Sequence, residues 1–132
     1  MSASLDYYEG AYGPTIRFAF RSLEELKALR EMMRRLAAGE AREVALHELG
    51  CLSVSHLEAL TLAVVDVEAR VSLRRWQGES YLWVNTREGW EICCGLVDGL
   101  IQANEPGHQY LTDEGVDDAL VEVCLFERVD PL

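Results

Sequence analysis

Three histidines and four cysteines are the side chains in this chain best suited to chemistry, and their spacing limits what they could do. His47, Cys51 and His56, with Glu48 beside them, could offer ligands to one small metal ion. The spacing His-x3-Cys-x4-His fits no zinc pattern, and Leu52 and Val54 between them read as packing residues. No metal or other cofactor is therefore expected. Cys93 or Cys94 could pair with His108 as nucleophile and base. Both thiols are expected inside a helix, not at its N-terminus where a thiol pKa is lowered, so they read as core thiols. His108 near Asp113 or Asp117 could form a general base oriented by a carboxylate. A hydrogen-bonded surface turn around His108 and Tyr110 is the simpler reading of the same residues. No glycine-rich phosphate loop, serine elbow, His-Glu-x-x-His or EF-hand spacing occurs. A small enzyme built on His108 is thus the lesser reading, and no catalytic set is assigned.

Binding residues are better represented. Trp76 shares strand parity with Arg70, Ser72 and Arg74, and Trp83 with Tyr81 and Asn85. Trp76, Trp83 and Arg74 are therefore expected together on a sheet face turned away from the helices, the composition of an interface hot spot. Cation–π and aromatic packing that merely covers an exposed sheet is the plain alternative.

The elements that must position these residues follow from periodicity. Residues 1–14 read as a loose lead-in ending at Gly13-Pro14. Thr15–Arg21 alternates, with Ile16, Phe18 and Phe20 on one face, and predicts a half-buried strand. Ser22-x-x-Glu25 has capping-box form, and Leu26, Leu29, Met33 and Leu36 repeat behind it, so a helix is expected over about 22–38 with Gly39 as its stop. Residues 42–56 fit either a short strand or a helical turn. Three strands near 60–65, 70–76 and 81–85, turning at Glu68-Ala69 and Gln77-Gly78-Glu79, predict an antiparallel meander. Thr86 caps a second helix over about 87–103 with the stripe Trp90, Cys93, Val97, Leu100 and Ile101, widened by Ile92 and Leu96. Gly95 and Gly99 in that helix suggest close approach of a sheet or of a neighbouring chain. His108–Leu111 falls on a loop, and a last strand runs from about Ala119 to Phe126. No internal repeat is visible. The expected fold is α+β and two-layered, a mostly antiparallel sheet of five or six strands with both helices on one face, in the order β-α-(β)-β-β-β-α-β.

The chain has 132 residues, enough for one domain with a substantial core. Its formal net charge of −11 is uneven. Residues 1–90 carry 13 acids and 11 bases, whereas residues 91–132 carry 10 acids and only Arg128. Such a balance argues against nucleic-acid phosphate or an anionic membrane as partner, because both are bound by clustered Lys and Arg. Asp113, Glu114, Asp117 and Asp118 form the densest acidic run, either a solvated face or a docking surface for a basic protein. The N-terminus has no signal-like apolar segment, and the cysteines form no disulfide framework, so a cytoplasmic setting with reduced thiols is expected. In size, acidity and two-layer α+β character the chain resembles bacterial immunity proteins, which bind and silence a toxin. That resemblance implies a non-enzymatic inhibitor of a toxin, and the charge distribution points to docking of a basic partner through Asp113, Glu114, Asp117 and Asp118, with His108 and Tyr110 beside them. A homodimer using the Trp76, Trp83 and Arg74 face is the structural alternative.

Overall fold

Alternation of large apolar and polar side chains makes an extended strand of Gly13–Phe20 (β2), with Ile16, Phe18 and Phe20 buried. The computed structural model describes residues 3–48, 52–67, 70–112 and 117–127. In place of the loose lead-in expected over 1–14, Ala3–Gly10 is itself a strand (β1), paired antiparallel with β2. Its alternation is muted because small Ala3 and single Leu5 carry the inward face, and Gly13 at φ 115° closes the turn.

Both helices begin and end where their caps predict. Helix α1 (Leu23–Ala38) starts at Ser22, whose Oγ accepts the Glu25 N–H at 3.2 Å, and stops at left-handed Gly39. Helix α2 (Arg87–Ala103) starts at Thr86, whose Oγ1 accepts the Gly89 N–H at 3.0 Å, and stops at left-handed Asn104. The buried stripe of α1 is Leu26, Leu29, Met33 and Leu36; that of α2 is Trp90, Cys93, Val97 and Leu100. Each α2 residue lies 64 positions after its α1 counterpart, as Thr86 does after Ser22.

The ambiguous stretch 42–56 contains β3 (Glu43–Ala45), a single 3-10 turn (Leu46–Glu48) and β4 (Leu52–Ser55). The remaining strands are β5 (Ala59–Val64), β6 (Ser72–Gln77), β7 (Ser80–Asn85), β8 (Gly107–Tyr110) and β9 (Leu120–Leu125). The class is α+β, as expected, but the strands divide between two mixed sheets. One has the order β4-β1-β2-β9-β8, the other β3-β5-β7-β6. The expected meander is corrected: β6 and β7 form an antiparallel hairpin, yet β5 runs parallel to β7, with Leu60 opposite Tyr81 and Leu62 opposite Trp83. Burial explains the order. Strand β5 is apolar enough for an interior position, while Arg74 to Gln77 of β6 are exposed and suit an edge. The turn expected at Glu68-Ala69 lies outside the described residues.

A repeat hidden in the sequence emerges from this pairing. The succession β1-β2-α1-β3-β5 recurs as β6-β7-α2-β8-β9, and the two units exchange their last two strands. Hairpin β1–β2 pairs with β9–β8, and hairpin β6–β7 with β5–β3. The parallel contact of Phe18 with Val123 thus has its counterpart in Trp83 with Leu62. The helices cross antiparallel about the same pseudo-two-fold: Arg87 at the start of α2 donates to Ala37 and Ala38 carbonyls at the end of α1. At mid-helix the Cys94 thiol meets the Arg30 carbonyl oxygen at 3.7 Å, again a pair 64 residues apart. Inward-facing residues of both sheets and both helices make one continuous core.

The close approach expected at Gly95 and Gly99 is not found within the chain: both are exposed, and a Cβ at either would meet nothing within 4 Å. A Cβ at Gly89 would instead overlap the Asn85 carboxamide, which accepts the Thr86 N–H at 3.1 Å. The two kinds of glycine predict opposite signs. Gly95→Ala is expected to stabilise by about 0.5–1 kcal/mol, since it removes only backbone freedom. Gly89→Ala is expected to destabilise by about 1–3 kcal/mol through overpacking. Urea unfolding of the two variants checks both, and equal shifts would contradict this packing.

Candidate functional site

The N-terminal half of α2, hairpin β6–β7 and the end of β8 enclose a cavity of about 480 Å³ at the junction of the two sheets. Trp83 and Asn85 project into it from β7, Val71 and Ser72 from the start of β6, Ile92, Cys93 and Leu96 from α2, and Tyr110 from β8. Asp117 closes one side. Its Oδ1 accepts the Leu73 N–H at 2.8 Å, and the neighbouring Asp118 pairs with the same edge, donating N–H to Leu73 O and accepting Arg75 N–H on Oδ2. These bonds cover part of the free edge of β6 and fix the Asp117 carboxylate.

Two small residues of α2, Gly89 and Cys93, are part of the cavity lining, with the Asn85 carboxamide seated over Gly89. Gly89 and Cys93 occupy the positions that in α1 hold Glu25 and Leu29. Asn85 Nδ2 lies 4.0 Å from Cys93 Sγ, and the thiol reaches the Leu111 carbonyl at 3.9 Å. Burial pushes the Cys93 thiol up to about 12, which removes it as a nucleophile near neutral pH. Cys124 is also pushed up, by burial first and then by the charges of Glu122 and Glu127. Because the folded thiols keep their protons above their ordinary value of 9.0, their contribution is complete below pH 9 and is lost as pH rises toward 12. Stability measured by urea unfolding should therefore fall across that window. Native Cys93 and Cys124 should also resist iodoacetamide at pH 8, and fast alkylation of the folded protein would contradict their burial.

Two further depressions continue from this cavity around α2. One is lined by Ala37, Arg87, Glu88, Glu91 and Ile92, the other by Val65, Asp66, Thr86, Arg87 and Glu88. Ile92 joins the first to the cavity, and Arg87 and Glu88 join the second to the first. Ile92, expected to widen the buried stripe, is instead 60% exposed, and Val67 is exposed beside Asp66. Asp66, Glu88 and Glu91 are exposed carboxylates along this path. The cation among the described lining residues, Arg87, turns its guanidinium to the α1 carbonyls. This groove therefore sets the exposed apolar side chains of Ile92 and Val67 among carboxylates.

Of the binding residues expected from sequence, Trp83, Tyr110 and Asp117 meet at the cavity, and Asp118 lies just beyond it. Asp113 and Glu114 lie outside the described residues. Trp76 and Arg74 are exposed on the edge strand β6, with Trp76 64% accessible. Trp83 does not share their face. It is 2% exposed and packs against Trp90 at a centroid distance of 4.7 Å. The register sets Leu73 opposite Trp83 and Arg74 opposite Leu82, so Arg74 lies on the other face of the hairpin from Trp83, and the large aromatic faces of Tyr81 and Trp83 take the core side of β7. His108 lies on strand β8, not on a loop, and its Nδ1 pairs with Glu127 at 3.1 Å and not with Asp117; Asp113, the other expected partner, lies outside the described residues. His47 Nδ1 accepts the Leu60 N–H at 3.1 Å, and His56 Nδ1 pairs with Asp6 at 3.0 Å, so the two histidines serve different partners. Among the described residues no three His, Cys, Asp or Glu side chains converge as metal ligands.

The groove residues Asp66, Glu88, Glu91 and Ile92 were not singled out as binding residues by sequence reasoning. Position 92 could have flagged it, since it falls about 100° from Cys93 and off the seam of the helix. A polar row also crosses the outer face of the larger sheet, with Ser55, Asp6, Arg17, Glu122 and Tyr110 opposite one another on its five strands. Tyr8 hydroxyl donates to Glu122 Oε1 at 3.0 Å, and the Arg17 guanidinium stacks over the Tyr8 ring at 4.3 Å. Burial and then the Glu122 charge push the Tyr110 phenol up to about 12, so it acts as a hydrogen-bond donor at neutral pH. Comparison of the sequence with protein-family models and with curated proteins yields no match. Among the described residues, no helix is long and apolar enough to cross a membrane.

Proposed function

We propose that this chain is a non-enzymatic binding protein that docks a basic protein partner along α2. Its most concrete form is an immunity- or antitoxin-like inhibitor acting in the cytoplasm, where its thiols stay reduced. The observation that carries this reading is a row of neighbouring depressions along α2 that share Ile92, Arg87 and Glu88, with exposed Ile92 among the carboxylates of Asp66, Glu88 and Glu91. An exposed apolar side chain among charged ones matches the anatomy of a protein interface. A formal net charge of −11 adds steering toward a basic surface and repels acidic competitors. Asp117 and Asp118 add two further carboxylates at and beside the cavity.

The test uses a fluorescent arginine–glycine repeat peptide and the full chain, with anisotropy read across a salt series. Affinity is expected to fall as salt rises, and Glu88→Gln with Glu91→Gln to weaken it by about fivefold, on the order of 1 kcal/mol. An equal charge change at Glu9 and Glu43, away from the groove, should have little effect. If both double variants act alike, association is a property of net charge and the groove reading is wrong. A second reading, pairing of two copies through the edge strand β6, is favoured by Trp76 at 64% exposure beside Arg74 and Arg75. Light scattering of the chain and of Trp76→Ala at two salt concentrations separates it from a partner-seeking monomer.

A further inference from the structure

We propose that the 480 Å³ cavity beside α2 is a receptor for a guanidinium carried on an aliphatic stem, which in the docking reading above is an arginine side chain of the partner. The inference rests on that reading only for the source of the group. Its volume falls within the range of sites that enclose small ligands, roughly 300–1,000 Å³. Asp117 is the charged side chain among the described lining residues. Its Oδ1 is held by the Leu73 amide at 2.8 Å, so the second oxygen, Oδ2, is presented in a fixed direction. Ser72 and Thr112 also line the cavity.

Val71, Ile92 and Leu96 supply apolar lining for the stem, and the buried Trp83 closes the cavity beside them. A guanidinium offers five N–H donors in one plane and stacks on aromatic rings, whereas an ammonium offers a compact point charge. A fixed carboxylate in an apolar and aromatic lining therefore suits arginine better than lysine. At the matching positions of the pseudo-symmetric half, the larger Glu25 and Leu29 stand where α2 has Gly89 and Cys93. Two small residues thus distinguish the half that holds the cavity, and Ile92 connects it to the acidic groove along which a partner chain would run.

N-acetyl-arginine amide, its citrulline analogue and free arginine serve as probes, titrated into the ¹⁵N-labelled full chain. Saturable shifts of the Trp83 indole N–H and of amides at residues 92, 93 and 117 are expected with the arginine amide and not with citrulline. Asp117→Asn keeps an oxygen for the Leu73 amide while removing the charge, and is expected to weaken binding at least tenfold. Cys93→Leu installs the α1 side chain and is expected to abolish the shifts, with thermal unfolding confirming that the variant is folded. Should either variant not fold, the other carries the test. Binding of the amide without free arginine supports a partner side chain; binding of both supports the site as a receptor for the free amino acid as well. No saturable shift, equal response to citrulline, or shifts mapping away from the cavity would overturn the proposal. Such a failure, with the Glu88 and Glu91 variants still weakening peptide association, would leave the groove reading standing. Arginine binding intact beside salt-indifferent peptide association would instead remove the groove reading alone.

Discussion

Trp90→Ala is expected to destabilise the protein by about 3–5 kcal/mol, more than any substitution at the surface. Trp90 is fully buried on α2, packs edge-on to Trp83 at 4.7 Å, and donates its indole N–H to the Ala63 carbonyl at 3.0 Å. Removing the indole leaves a large apolar void and an unpaired carbonyl on β5, and neither loss relieves the other. Trp90→Phe separates the two: it restores most of the volume but not the hydrogen bond, so a cost of about 1–3 kcal/mol is expected for the orphaned acceptor and residual void. Urea unfolding of both variants measures the difference. If Trp90→Ala cost less than 1 kcal/mol, the tryptophan pair could not be the centre of the core.

Arg17→Met should cost about 3 kcal/mol, because it strips the cation from a row of carboxylates in the central strands. Arg17 lies opposite Asp6 on one side and Glu122 on the other, and its Nη2 meets Asp6 Oδ2 at 3.3 Å. Glu122 is only 7% exposed, accepts the Tyr8 hydroxyl at 3.0 Å and stands opposite this guanidinium in the register. Methionine keeps much of the stem's packing, so the loss reports the charge. Adding Glu122→Gln in the Arg17→Met background should recover a substantial part of the loss, since it removes a buried charge left without compensation. A double variant no more stable than Arg17→Met would show that Glu122 does not feel the arginine.

The outward face of this sheet, unlike its inward face, was not legible from periodicity. Strand β9 is buried on both faces, so Glu122 and Cys124 look like breaks in an apolar run when they are in fact the second covered face. Parity failed in the same way on β7, where Leu82 and Val84 compete with Tyr81 and Trp83 for the core and the aromatics, with more area to bury, take it. The candidate site was legible in part. Trp83, Tyr110 and Asp117 were each singled out, but for a sheet face and an acidic turn, and it is the fold that brings them to one cavity. Gly89 and Cys93, which line that cavity, carry no local signal beyond being small.

The sequence by itself determined the two helices, their caps and their buried stripes, because capping and 3.6-residue periodicity act within a few residues of chain. It also determined the α+β class and the unequal distribution of charge. Only the tertiary structure decided that the strands form two sheets, that β2 pairs with β9 and β5 with β7, and that two ββαββ units exchange their final strands. Those contacts join residues 105 positions apart between β2 and β9 and 21 apart between β5 and β7, and the sequence marks them solely by which faces are apolar. The repeat stayed invisible for the same reason: Leu26 and Trp90, or Leu29 and Cys93, share a place in the core without sharing an identity. Packing requires only that an apolar group of suitable volume fill each position. Where the volumes differ, as at Leu29 and Cys93, the half with the smaller side chain is the one that holds the cavity.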